Sequence, residues 1–353
     1  MKNVAVIGAG ASGLMAAYAC ASNGNNVIVF EKNEKCGKKI YITGKGRCNF
    51  TNNCPPDEFL QNIISNSKFA TGAIYNFSPQ RTMQFFEDGG LRLKTERGNR
   101  VFPVSDKASD VTKCLEKYCI KAGVQFKFGE KVLNISNLNS TMFDIITHKD
   151  KYSVDNVIVC TGGLSYPLTG STGDGYKFAQ DVGHKIIQPK PSLCGFNLKG
   201  DYYKKLQGLA LKNVKLNVYI GSKKKHEFFG EMLFTHFGIS GPIVLSASSF
   251  INRYDLNTVK LSLDLKPALS EEQLDARILK DFERKTYAPN PTIIHAIAVR
   301  VPDCIIPYIA NKAVIMKMNL CRSSLVVIAI IIYMTAMHAI LQPIFAASVN
   351  VPK

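Results

Sequence analysis

Several features are missing from this 353-residue chain, and each absence narrows what it does. No cationic, apolar leader precedes the strand pattern that opens at Asn3, so export is not expected. Ten cysteines are present, yet no two stand in a C-x-x-C pair, which argues against a zinc site and a dithiol redox centre. The expected state is therefore mostly buried free thiols in a reducing cytoplasm, with no metal. Acids are few, 27 against 44 bases, leaving a net charge of +17. The lysines and arginines are scattered, with no basic stripe interleaved with aromatics and no recognised binding motif, so a nucleic-acid partner is not expected. The surplus reads as a basic surface that attracts anionic ligands to a small-molecule site.

The shortage of acids is sharpest near the end. From Lys285 onward one acid, Asp303, stands against Lys285, Arg300, Lys312, Lys317, Arg322 and Lys353. Within this tail, Leu325–Leu341 is apolar except for Tyr333, Thr335 and His338. Spanning a bilayer takes roughly twenty mainly apolar residues, so the stretch is borderline for a membrane helix. Two readings stand: an anchor through Leu325–Ala346, or a tail from an altered reading frame or truncation.

What is present is clearest at the start. The apolar run Val4–Ile7 meets Gly8-Ala9-Gly10-Ala11-Ser12-Gly13, a small-residue helix follows to Asn23-Gly24, and a second apolar strand delivers Glu31. A strand, a G-x-G-x-x-G turn, a helix, a strand and a terminal acid form the dinucleotide-binding pattern. Gly8 allows the tight turn, Gly10 lets backbone approach a pyrophosphate, and Gly13 permits close helix–strand packing. The helix N-terminus offers free N–H groups to phosphate, and Glu31 offers an acceptor to ribose hydroxyls.

The length allows two domains. Helical patterns are expected around Pro56–Ser65, Ser78–Gly89 and Val111–Gly123, and a strand over Val124–Phe128. Val132–Ile135, Met142–Thr147 and Tyr152–Val154 read as antiparallel strands, and Val157–Cys160 as a buried strand opening onto Thr161-Gly162-Gly163. After Pro189-Lys190-Pro191-Ser192 the short runs Phe196–Leu198, Val214–Ile220, His226–Phe229 and Val259–Leu265 suggest a β-rich domain. Ser270-Glu271-Glu272-Gln273 reads as a capping box opening a helix with Leu274, Ile278 and Phe282 on one face.

Three further clusters carry chemistry. The second glycine turn at Thr161, together with the first fingerprint and the long loop that interrupts regular βαβ units, favours FAD over NAD. Gly44-Lys45-Gly46-Arg47-Cys48-Asn49 combines free backbone with positive charge. There the thiol of Cys48, beside Arg47, is the one whose pKa a neighbouring charge would lower. Phe234–Pro242 holds His236, which with Tyr166 is a candidate proton donor. No second G-x-G-x-x-G follows a strand, so a dedicated NAD(P)H domain is not supported.

These segments, with Gly98–Pro103, Ser105–Ala108, Ser165–Pro167, Thr172–Gly175 and Gly230–Thr235, resemble the BaiN/YhiN-like (HI-type) family of bacterial FAD-dependent oxidoreductases over residues 1 to about 284. The resemblance implies an α/β fold, a Rossmann-like FAD-binding domain with an inserted β-rich, barrel-like domain and the start of a helical subdomain. The corresponding boundaries are 1–190, 191–266, 267–284 and an atypical tail at 285–353. It also implies that Gly8, Ala9, Gly10, Ala11, Ser12, Gly13, Glu31, Lys32, Thr43, Gly44, Arg47, Cys48, Asn49, Val132, Thr161, Gly162 and Gly163 bind FAD. NAD(P)H would then serve as a transient electron donor, and the reaction would reduce an activated C=C bond or oxygen. The family's closing segment, a strand and glycine-rich helix start with a Gly-Glu pair, is not found in this chain. Only Pro302–Ala310 echoes the expected helical subdomain. The expectation is thus an oxidoreductase with an incomplete flavin site. The alternatives are an FAD-binding protein without turnover and a membrane-tethered remnant.

Overall fold

The computed structural model describes residues 1–276, apart from 140, 141, 199, 271 and 275. Ile278, Phe282, the echo at Pro302–Ala310, the tail from Lys285 and the apolar stretch Leu325–Ala346 lie outside the described residues. The chain divides after Gln188 into two units.

In the first unit, β1 (Asn3–Ile7) leads to α1 (Ala11–Ser22) and β2 (Asn26–Glu31). The short helix α2 (Lys38–Ile42) and a 3-10 turn over Thr43–Gly46 follow. Next come β3 (Thr51–Asn52), α3 (Pro56–Gln61), α4 (Ser67–Asn76) and α5 (Pro79–Asp88). A hairpin of β4 (Leu93–Glu96) and β5 (Arg100–Pro103) precedes α6 (Ala108–Lys121) and β6 (Gln125–Phe128). The unit continues through β7 (Val132–Asn139), β8 (Met142–Thr147), β9 (Lys151–Val154), β10 (Asn156–Val159) and α7 (Asp174–Asp181).

Four strands form a parallel sheet in the order β10-β1-β2-β6. Alternation along β1 sends successive side chains to opposite faces. Val4 and Val6 join a core with Leu14 and Ala17 of α1 and Leu115 and Cys119 of α6. Ala5 and Ile7 join Phe30, Val132, Ile145 and Phe178 on the other face. Both faces are thus covered, which is why β1 reads as a continuous apolar run. β7, β8 and β9 form an antiparallel sheet, and β3, β5 and β4 form another.

Local signals account for the helix starts. Ser78 Oγ accepts the Arg81 N–H at 3.1 Å, and Pro79 occupies the first turn of α5. By contrast α4 buries no residue, and its Phe69 is 93% exposed.

The second unit contains β11 (Phe196–Asn197), α8 (Tyr202–Lys205), β12 (Ala210–Ile220), β13 (Lys223–Thr235), β14 (Gly238–Ser240), α9 (Pro242–Ile251) and β15 (Val259–Asp264). Its antiparallel sheet has the order β11-β14-β13-β12-β15. Val214, Leu216 and Val218 alternate inward with Met232, Leu261 and Leu263, packing with Ile243, Val244 and Ala247 of α9. β13 is 13 residues long, far beyond His226–Phe229. Its lysine-rich start, Lys223–Lys225, and Gly230 with Glu231 break the apolar alternation, and pairing with β12 and β14 sustains the strand instead. The capping box forms as read: Gln273 N–H donates to Ser270 Oγ at 3.2 Å, and Ser270 N–H to Gln273 Oε1 at 3.0 Å. Among the described residues, no helix is long and apolar enough to cross a membrane.

Candidate cofactor site

The chain must turn from β1 into α1 within three residues, Gly8 to Gly10. Gly8 does so with φ +103°, and a Cβ there would lie 2.5 Å from the Cys160 carbonyl oxygen. A Cβ on Gly13 would overlap the Gly8 carbonyl oxygen, so any side chain would prise helix from strand. Gly10 is different. It is the N-cap of α1 with φ −79°, and a Cβ there would meet nothing within 4 Å. No side chain caps α1, and its first turn holds no acid. The first N–H groups have no partner within the helix, and the dipole adds positive potential in front of them.

Glu31 ends β2 and is only 7% exposed. Its carboxylate accepts the Ala9 N–H at 2.8 Å, the Asn33 N–H at 2.8 Å and the Asn33 side-chain amide at 2.7 Å. A carboxylate offers about four lone-pair positions, so one remains for a hydroxyl. Glu31 therefore holds the shape of the glycine turn as well as facing the cavity.

These elements enclose a cavity of about 560 Å³, within the size range of small-molecule sites. Gly8, Gly10, Ala11 and Ser12 line it from the turn, and Glu31 and Lys32 from the end of β2. Thr43, Cys48 and Asn49 line it from the loop after α2, while Val132, Thr161 and Gly162 come from β7 and the turn after β10. An apolar wall includes Met15, Ile40, Phe50 and Phe86.

The second glycine turn is tied to β2. Lys32 Nζ donates to Thr172 Oγ1 and to Asp174 Oδ2, both at 2.7 Å. Thr161 Oγ1 accepts the Gly175 N–H at 3.0 Å. Burial pushes the Asp174 carboxyl up, but the bonds from Lys32 and Thr172 together carry it below its ordinary range.

Other expected ligands stand off the lining. Ala9 is spent on Glu31, Gly13 is buried in the helix–strand contact, and Gly163 faces the Tyr176 hydroxyl. Gly44 packs against the Phe102 ring, and Arg47 forms ion pairs with Glu96 at 2.8 Å and Asp106 at 3.3 Å. Its guanidinium lies 4.2 Å over the Phe102 ring. The expectation of a lowered Cys48 thiol is accordingly corrected: burial pushes it up, and Arg47 is directed to the carboxylates. Tyr166 is 66% exposed on a left-handed turn and lines no part of the cavity. His236 is exposed on the two-residue tip between β13 and β14 in the second unit, whereas the cavity is lined by first-unit residues.

Sequence reasoning missed Lys39, Lys131 and Ser171, which also line the cavity. Burial lowers the Lys39 ammonium pKa, and neither lysine forms an ion pair among the described residues. Asp174 was visible within Thr172–Gly175 but had no assigned role.

The residues fit FAD on this geometry. The open space before Gly10, the uncapped helix end, the lysines Lys39 and Lys131 on the lining and an apolar wall suit a diphosphate joined to a flat ring system.

The HI0933-like protein Rossmann domain matches residues 2–249, and the HI0933-like barrel and H2TH domain matches 190–324. The second match runs past Lys285, where the sequence motifs fade. A 3-dehydro-bile acid delta(4,6)-reductase of Clostridium scindens is 31% identical over 292 residues, 82% of this chain and 70% of the relative. A ribosomal RNA dihydrouridine synthase of Haemophilus influenzae is 31% identical over 272 residues, 76% of this chain and 65% of the relative. The chain thus spans 65 to 70% of the length of these two relatives. An open-conformation flavocytochrome c3 fumarate reductase overlays with TM-score 0.43 and 19% identity, covering 60% of this chain and 47% of that one.

Proposed function

The chain belongs to the HI0933-like family, a family of FAD-dependent oxidoreductases, and from that premise we propose that it binds FAD in the first-unit cavity and reduces a carbon–carbon double bond conjugated to a carbonyl. The observation that carries the reading is the open space before Gly10 at the uncapped start of α1. Gly10, Ala11 and Ser12 hold the diphosphate through backbone N–H groups, and Glu31 accepts from a ribose hydroxyl. Lys39 and Lys131 add positive charge, while Ile40, Phe50 and Phe86 exclude water from the apolar end. Bound FAD would supply the hydride equivalent, with NAD(P)H as the proposed electron donor.

The reaction class is supported by chemistry that the two relatives' names share. A 3-oxo steroid unsaturated at carbons 4 and 6 and the uracil ring of uridine each carry a C=C bond conjugated to a carbonyl. Reduction of either places hydride on the carbon distal to the carbonyl and a proton on the proximal one. The first reading keeps a small-molecule substrate. A second is favoured by the net charge of +17 and by the ribosomal RNA in the second relative's name. In it the double bond is that of uridine in folded RNA, and basic surface screens the phosphates.

The test loads the purified chain with FAD, adds NADPH or NADH without oxygen, and follows the flavin absorbance. A 3-oxo-Δ4 steroid and a ribosomal RNA transcript are then offered separately. Flavin reoxidation with two hydrogens gained by the steroid supports the first reading, and the same gain on uridine supports the second. Reoxidation only by oxygen overturns both in favour of an oxidase. A chain that takes up FAD but is never reduced is a binder without turnover.

A further inference from the structure

The loop from Thr43 to Asn49 presents Thr43, Cys48 and Asn49 to the cavity, yet its backbone is unusual. Gly44, Lys45, Gly46 and Cys48 all have positive φ, at 55°, 58°, 86° and 60°. Glycines accept that region freely, but Lys45 and Cys48 do not, so something outside the loop must hold it. Within the loop the hydrogen bonds are turn bonds between near neighbours: Cys48 N–H donates to the Thr43 carbonyl at 3.1 Å and Arg47 N–H to the Gly44 carbonyl at 3.3 Å, while Thr43 Oγ1 ties the entry to the Ile40 carbonyl at 2.7 Å.

The hold comes from the far side. Arg47 Nη1 meets Glu96 at 2.8 Å and Asp106 at 3.3 Å, and Lys94 Nζ meets Asp106 at 2.6 Å and Glu96 at 3.4 Å. Each ion therefore contacts both ions of opposite sign, closing a ring of four alternating charges. Isolated surface pairs contribute little, but ordered networks with a defined geometry are the exception. The geometry here is defined by Phe102, which is 1% exposed on β5. Arg47 lies over its ring, and a Cβ on Gly44 would come within 3.2 Å of its edge. Phe50 N–H also donates to the Val101 carbonyl at 3.3 Å, so the loop's exit is pinned to the same strand.

We infer that the ring of Arg47, Glu96, Lys94 and Asp106 is a latch that holds the Thr43–Asn49 loop in the shape that receives FAD, with Arg47 a positioning residue rather than a ligand of the cofactor. The inference rests on the FAD reading above. It departs from the expectation that Arg47 itself lines the cofactor. Its consequence is that cofactor affinity depends on two carboxylates, Glu96 and Asp106, that line no part of the cavity.

The experiment uses the full chain and measures FAD affinity by quenching of flavin fluorescence, with apo-protein melting as the folding control. Hydrogen exchange over residues 43–49 is recorded alongside. The double variant Glu96→Gln/Asp106→Asn keeps the size and hydrogen-bonding reach of both side chains while removing the charge. It should lower FAD affinity about tenfold and speed exchange in the loop, with the melting temperature of the rest of the first unit retained. Arg47→Lys should recover most of the affinity lost in Arg47→Ala, because a point charge still closes the ring. Added salt should weaken FAD binding more steeply in the wild type than in the double variant. Loss of affinity in Arg47→Ala with wild-type affinity in the double variant overturns the latch and makes Arg47 a direct ligand. Wild-type affinity and loop exchange in all variants overturn it too, because the loop then holds itself. A wild-type chain that takes up no FAD removes the cofactor reading and the latch with it, an outcome distinct from the other two.

Discussion

Replacing Gly10 and Gly13 by alanine separates binding from folding at two positions of one turn. At Gly10 the backbone has φ −79°, ordinary for alanine, and the new methyl meets nothing within 4 Å. Two stability effects oppose each other. Removing a glycine restricts the unfolded chain and stabilises by about 0.4–1 kcal/mol. Alanine is a poorer N-cap than glycine, which costs roughly 0.5–1 kcal/mol. The net lies within about 1 kcal/mol of zero, or at most ~4 °C in melting temperature for a unit of this size. FAD affinity should nevertheless fall by about 100-fold, some 2.7 kcal/mol, because the methyl stands where the diphosphate must approach the backbone. At Gly13 the methyl overlaps the Gly8 carbonyl oxygen. Helix and strand must move apart, so Gly13→Ala should destabilise by about 1–3 kcal/mol or more without ligand present. Thermal melting of the apo-protein and FAD titration measure the two effects. A Gly10→Ala protein that binds FAD like the wild type, or that melts as early as Gly13→Ala, would refute the assignment of these roles.

Other positions test other parts of the molecule. Burial, with Arg253 and Lys225 nearby, lowers the His226 pKa below its ordinary 6.5. The unfolded chain then binds more protons, so this contribution is complete above about 6.5 and is lost as pH falls through the folded value. His226→Phe, packed against Phe228 and Phe250, should flatten that limb of a melting-temperature profile. Cys36 and Cys119 are buried, with thiols pushed up to about 12 and about 11. Iodoacetamide at neutral pH should leave both unmodified in the folded protein, as read by peptide mass. Met232 is 1% exposed in the second unit's core, so Met232→Ala should cost about 2–5 kcal/mol, measured by urea unfolding.

Much of the first unit was legible because its signals are local. The β1–turn–α1–β2 unit needs apolar runs, glycines at fixed offsets and one acid, all within 31 residues. The strands over Met142–Thr147 and Tyr152–Val154, the helix α5 and, in the second unit, the capping box at Ser270 likewise depend on neighbours in sequence. Where pairing comes from afar, the reading fell short. β13 extends to Thr235 because β12 and β14 supply its partners, and α4 carries no buried stripe to mark it.

The site divides in the same way. Sequence alone determined that a dinucleotide pattern opens the chain, since steric limits on a strand-to-helix turn act over a handful of adjacent residues. It placed Glu31 at the end of β2 but not the three N–H groups that occupy it. Tertiary structure decided which residues face the cavity. It brought in Lys39, Lys131 and Ser171, and turned Arg47 toward Glu96 and Asp106, which lie 49 and 59 residues away along the chain. Charge and backbone freedom can be read from a sequence; the direction a long side chain takes is set by partners that folding alone brings within reach.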